Sequence, residues 1–155
     1  MKNVLLMLCI ACLANMQTQA QDSTKNKMKA VIDSKHYVFE PTNMTPSRGG
    51  VKQLTPGYFF GVSGDTVKVY LPYIGRAYSA PVNTSDAGFD FTTTDFTYAV
   101  TAGKKNSYNI SVKTKDKVYN TDFTLTVYDN GTAYLRASAS DKQPVSYNGD
   151  VKEKK

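Results

Sequence analysis

The side chains able to do chemistry are few, and their spacing limits what they could do. His36 is the one histidine, and the two cysteines, Cys9 and Cys12, lie in the first twenty residues. A lone histidine offers little to a zinc site, which draws on about three or four nitrogen or sulfur ligands. No G-x-S-x-G elbow surrounds any serine, so a Ser-His-Asp hydrolase has no visible frame. His36 reads instead as an exposed residue opening a strand. Carboxylates are the remaining candidates, and Asp86, Asp90 and Asp95 cluster in "DAGFDFTTTD". Two of them could serve a hydrolase as an acid–base pair, given carboxyl separations of about 5–5.5 Å for retention or about 6.5–9.5 Å for inversion. The same three could offer oxygen ligands to calcium, but the alternating EF-hand spacing closed by glutamate is absent. Asp90 falls on the polar side of an alternating stretch, and Asp86 and Asp95 fall in turns, where aspartates ordinarily accept backbone N–H bonds. No catalytic residue, metal ligand or cofactor is therefore assigned. A hydrolase using aspartates near 86–95 stands as an alternative reading.

A second constellation suits binding better than turnover. Residues 71–81, "LPYIGRAYSAP", set Tyr73, Arg76 and Tyr78 between two prolines, with Gly75 to turn the chain. Pro72 cannot donate to a strand ladder, so pairing ends there or lies at an edge. Arg76 is one of only three arginines in a lysine-rich chain. A guanidinium fork fits a carboxylate, a phosphate or the face of a tyrosine. Arg76 either anchors its own loop or belongs to an exposed Tyr-Arg-Tyr surface for a glycan, a lipid headgroup or a partner protein.

The elements that must hold these residues are strands. From His36 onward apolar residues recur at every second position: Tyr37 and Phe39; Tyr58, Phe60 and Val62; Val67, Val69 and Leu71; Phe89 and Phe91; Phe96, Tyr98 and Val100. The pattern continues through Tyr108, Ile110 and Val112, then Phe123, Leu125 and Val127, then Ala133, Leu135 and Ala137, and ends with Val145, Tyr147 and Gly149. A period of two buries one face of a strand and wets the other. "SGD" at 63–65 and "DNG" at 129–131 mark hairpins, the latter with Asn-Gly suited to positive φ at both central positions. "TAGKKNS" at 101–107 and "TKDK" at 114–117 mark looser ones. Residues 41–57, dense in proline and glycine, read as a long mobile loop. Met28 to Ile32, with Asp22 or Ser23 as cap, predict a short N-terminal helix. The expected fold is mainly β: one antiparallel meander of about eight or more strands forming a lipocalin-like barrel or sandwich. Eleven tyrosines and seven phenylalanines, with no tryptophan, read as core packing or as the lining of an open barrel mouth.

Composition places the chain outside the cytoplasm. Lys2, the apolar run Val4–Ala14 and the small residues of Thr18-Gln19-Ala20 form a signal peptide over 1–20. The remaining 21–155 form a single β-domain with its core at about 35–151. "CIAC" faintly resembles a lipoprotein box, so membrane attachment is expected only if Cys12 is lipidated. A cysteine-free exported domain is held by its core alone and suits a periplasm or cell surface. The formal net charge is +6, but the lysines are scattered over turns and ends and make no stripe with stacking aromatics, which argues against nucleic acid.

"GDTVKVYLPYIGRAYSAP", "GFDF" and the late "VYDNGTAYLRASASDKQPVSYNGDV" together resemble the bacterial family called domain of unknown function 4251. The signature positions carried over are Asp65, Leu71, Pro72, Tyr73, Gly75, Arg76, Tyr78, Pro81, Ser146, Tyr147 and Gly149. Ile74 departs from the pattern, which often has an aromatic there. The resemblance implies an exported, mostly β domain and brings no activity with it. Added to the loop residues, it makes Tyr73, Arg76, Tyr78 and Tyr147 the candidate ligand-binding set. The function expected is non-catalytic: binding of a small apolar or glycan ligand, or of an envelope protein partner. A structural part of an envelope assembly, attached through mobile basic ends, is the third reading.

Overall fold

The computed structural model describes residues 27–75, 88–115 and 120–154. A helix, α1, covers residues 27–33. Ten strands follow: β1 (His36–Pro46), β2 (Lys52–Gln53), β3 (Phe59–Ser63), β4 (Thr66–Leu71), β5 (Phe89–Thr93), β6 (Phe96–Ala102), β7 (Ser107–Thr114), β8 (Thr121–Tyr128), β9 (Thr132–Ala139) and β10 (Val145–Glu153). They form one antiparallel sheet in the order β5-β4-β3-β1-β10-β9-β8-β7-β6, with β2 beside β1. The two strands at the ends of that path, β5 and β6, are joined by Thr94 and Asp95 alone. The sheet therefore curls into a nearly closed barrel. Its first and last strands pair with each other, and its seam falls in mid-chain.

The alternation explains which face turns inward. Tyr37 and Phe39 of β1, Phe60 and Val62 of β3, Val67, Val69 and Leu71 of β4, and Phe123, Leu125 and Val127 of β8 are all buried. Their in-between neighbours, such as Lys68, Asp122 and Thr124, are exposed. α1 closes one end of the barrel: Val31 and Ile32 are buried there. Beside them the hydroxyls of Tyr37 and Tyr98 lie 3.3 Å apart. The Lys35 ammonium sits 4.9 Å from the centre of the Tyr98 ring. Asp22 and Ser23, the expected caps, lie outside the described residues, as does the signal segment.

Three expectations need correction. The stretch 41–57 is not a continuous loop. β1 runs on to Pro46, Met44 is fully buried, and β2 pairs with β1 at Asn43 and Met44. Pro41 is accommodated because the register shifts between Pro41 and Asn43, a bulge at which no ladder N–H is demanded. Second, β6 is not inward-packed along its length. Phe96 and Tyr98 are half-buried and Val100 is exposed toward the far end of β6, which among the described residues is paired with β7 alone. Third, the "DNG" hairpin takes positive φ at Gly131 and not at Asn130. It is a three-residue turn in which Gly131 N–H donates to the Tyr128 carbonyl at 2.9 Å. Asn130 Oδ1 there accepts from Thr132 N–H and hydroxyl at 3.1 and 2.8 Å. The "SGD" hairpin holds as expected, with Gly64 (φ 62°) at the position where a type II′ turn requires glycine. Asp116 and Lys117 of the "TKDK" turn lie outside the described residues.

Burial raises the phenol pKa of both Tyr37 and Tyr147 well above the ordinary 10.0, with the neighbouring tyrosine hydroxyls adding in the same direction. Each folded-state pKa is thus above its unfolded value. The stability these phenols contribute is complete below pH 10 and is lost as pH rises beyond it. The urea midpoint is expected to stay level from neutral pH to about 10 and to fall above it, with the last part of the tyrosinate absorbance appearing only as the chain unfolds. Tyr147→Phe should flatten part of that alkaline limb. Full tyrosinate absorbance, with every phenol ionised, reached without unfolding would contradict the burial.

Candidate recognition surface

The end of the barrel opposite α1 holds the segment after β4. Leu71 is buried at the end of that strand. The next carbonyl, that of Pro72, accepts a 2.6 Å hydrogen bond from the hydroxyl of the fully buried Tyr147. The Tyr73 hydroxyl accepts a 3.0 Å bond from Gln143 N–H, and its ring meets Phe89 edge-on at 6.1 Å. Gly75 makes this possible: a Cβ there would collide with the Tyr73 hydroxyl and lie 2.7 Å from its ring carbon Cζ. The structure thus brings Tyr73 and Tyr147 to one end of the barrel, where both hydroxyls hold the 71–75 segment against β10 and the loop before it. Arg76, Tyr78, Pro81 and Asp86 lie outside the described residues.

The other chemistry-bearing residues are dispersed. Asp90 lies on the outward face of β5, paired in register with Tyr70. Asp95 sits in the β5–β6 corner, where its N–H donates to Thr93 Oγ1 at 3.1 Å and its carbonyl accepts from Lys115 N–H at 2.9 Å. His36 is exposed at the start of β1, its Nδ1 2.7 Å from the Ser34 carbonyl oxygen. Among the described residues no three His, Cys, Asp or Glu side chains gather as a metal site.

Inside the barrel, aromatic rings pack on one another. Phe123 of β8 packs on Phe60 at 5.0 Å, on Phe89 at 5.8 Å and on Phe91 at 6.2 Å. Every buried side-chain polar atom among the described residues has a hydrogen-bond partner. Outside the barrel lie aromatics that the alternation does not bury. Tyr70 packs on Tyr58 at 5.3 Å and on Phe59 at 6.3 Å, with the Lys68 ammonium 5.8 Å from the Phe59 ring.

Further round the same outer surface an open depression of about 430 Å³ lies between the β1 bulge and strands β8 to β10. Its lining includes Thr42, Tyr128, Thr132, Tyr134, Asn148 and Asp150. Tyr128 and Tyr134 are 39% and 38% exposed. The Tyr134 hydroxyl donates to Ser146 Oγ at 2.6 Å, which fixes its ring. Asn148 Nδ2 donates to Asn43 Oδ1 at 3.0 Å, and Thr42 Oγ1 donates to the Asn148 carbonyl at 3.2 Å. A signal for these residues was present in the sequence. Tyr70, Tyr128 and Tyr134 stand out of phase with the inward set of their own strands, one step from Val69, Val127 and Leu135.

The family model described as "Domain of unknown function (DUF4251)" matches residues 19–151. Among solved structures the chain is similar to a DUF4251 family protein from Bacteroides eggerthii DSM 20697. That likeness has a TM-score of 0.63 and 13% identity, and covers 84% of this chain and 88% of that one. No curated protein matches it. The chain belongs to the DUF4251 family.

Proposed function

We propose that this member of the DUF4251 family is an exported, non-catalytic domain that recognises its target on the outside of the barrel. The observation carrying this reading is the division of its aromatics. Phe60, Phe89, Phe91 and Phe123 interlock in the interior, while Tyr70, Tyr128 and Tyr134 stand exposed on strand faces that ordinarily carry small polar residues. Tyrosine at such positions offers a rigid, amphipathic contact with few torsions to restrain. A ligand inside the barrel would have to displace packed rings, whereas one on the surface would not. Export rests on the signal-like sequence of residues 1–20, and a periplasmic or cell-surface site follows from it. In this reading Tyr73 and Tyr147 act as the framework that fixes one end of the barrel.

Native mass spectrometry of the protein recovered from a periplasm tests the proposal. A retained small molecule or partner protein is expected, and Tyr70→Ser combined with Tyr134→Ser should abolish it without changing the urea midpoint. An adduct indifferent to both substitutions, or none at all, would count against recognition by this surface.

A further inference from the structure

We infer that the depression between the β1 bulge and strands β8–β10 is a binding groove for neutral saccharides. This deepens the outer-surface reading and rests on it. The argument begins with the chemistry of the lining. A pyranose ring presents a face of C–H groups and a rim of hydroxyls that both donate and accept. The groove offers a match for each. Tyr128 and Tyr134 supply two part-exposed aromatic rings. Asn148 supplies a group with both donor and acceptor capacity, while the Thr42 and Thr132 hydroxyls, whose hydrogens go to the Asn148 carbonyl and to Asn130 Oδ1, and Asp150 add acceptors. Asn148 uses one amide hydrogen on Asn43 Oδ1, which leaves its second N–H and its carbonyl oxygen directed by a fixed amide plane. The volume falls within the range of about 300–1,000 Å³ common to small-ligand sites.

Charge selects among saccharides. The chain is basic overall, yet this lining contains one carboxylate and no lysine or arginine. Lys152, the next outward residue on β10 after Asp150, is held by the Glu40 carboxylate at 2.5 Å. Uronic, sulfated or phosphorylated sugars would meet Asp150, and the nearby cation, Lys152, is already shared between Glu40 and Asp150, so neutral sugars are favoured. One carboxylate in the lining also gives no pair for glycosidic cleavage, which makes the groove a binding site.

The floor is preformed. Gly149 lets β10 press against the Glu40–Pro41 backbone, and the adjoining bulge sets Thr42 over the Asn148 carbonyl. A groove held by strand pairing loses little freedom on binding. It is open along one side, so an internal stretch of a polymer can lie in it as well as an end.

Calorimetric titration of the secreted chain with gluco-, manno-, xylo- and N-acetylglucosamine oligomers, with an oligogalacturonide beside them, tests the assignment. At least one neutral oligomer should bind, and the oligogalacturonide should not. Tyr134→Ala and Tyr128→Ala should each weaken binding by about tenfold or more, as loss of a stacking anchor does. Tyr134→Phe, which keeps the ring, should retain most of the affinity and guards against misreading a folding defect. Equal binding of the uronide, or neutral-sugar binding indifferent to both tyrosines, would overturn the inference. So would the absence of sugar binding. If an envelope-derived adduct still depends on Tyr134 while no sugar binds, the outer-surface reading stands and the saccharide assignment alone falls.

Discussion

Gly149→Ala is expected to destabilise the folded chain by about 3 kcal/mol, a large effect for one methyl group. A Cβ at this position would run into the Glu40 carbonyl oxygen and sit 2.7 Å from Pro41 Cα. Both are backbone atoms, so no rotamer change relieves the clash. Relief requires β1 and β10 to part where Pro41 faces Gly149, next to the register shift. That pairing runs from Tyr37↔Glu153 to Pro46↔Val145 and joins the first long strand to the last, so a local opening there loosens the closure of the barrel. Gly50→Ala is the matched control. A Cβ at 50 meets nothing within 4 Å, and the backbone there has an ordinary φ, so the change should stay within about 0.5 kcal/mol. Urea midpoints of the two variants decide the matter. A Gly149→Ala protein as stable as the Gly50→Ala protein would mean that the two strands do not approach as described.

The contrast between these glycines shows what the sequence could and could not tell. Gly149 was visible as a signature position, but its reason lies across the barrel in Glu40 and Pro41. The bridge beside it, Lys152 to Glu40, spans 112 residues of chain. Local pattern carries no information about which distant strand will be a neighbour. Period two identified the inward faces of Phe60, Val69, Phe91, Leu125 and Leu135 correctly, since burial of alternate residues is a local property. The same period failed for Val100, which has the right phase but lies on the part of β6 beyond Phe96 and Tyr98, where the strand leaves the core. Pro41 misled in the opposite sense: it looked like a breaker, and the fold absorbs it in a bulge.

The candidate site was legible to a smaller degree. Tyr73 and Tyr147 were picked out and do meet at one end of the barrel, yet a buried anchor and a ligand contact have the same sequence signature. Only the bonds to Gln143 N–H and the Pro72 carbonyl reveal the anchoring role. Tyr128 and Tyr134 are hard to single out in the sequence because an aromatic in a strand is first read as core. Their phase relative to Val127 and Leu135 was the clue, since an aromatic one step out of register with the oily set faces water unless something covers it.

Outer-surface recognition depends on a filled interior, which has its own test. Phe123→Ala should cost about 3–5 kcal/mol, the range for removing a fully packed phenylalanine ring. Phe123 touches rings from β3 and β5 on the far side of the barrel. Among the described residues no backbone pairing joins β5 to β6, so these cross-barrel contacts are a principal tie between the two margins of the sheet. No cysteine outside the first twenty residues can replace them with a disulfide. Phe96→Ala, on the partly buried edge strand, should cost less, about 2 kcal/mol, since part of that ring already faces water. The order of the two urea midpoints therefore reads out the packing. If Phe123→Ala proved as mild as Phe96→Ala, the ring would be lining a void and not filling one. A hollow barrel could then take its ligand inside, and the exposed tyrosines would lose their claim to be the recognition surface.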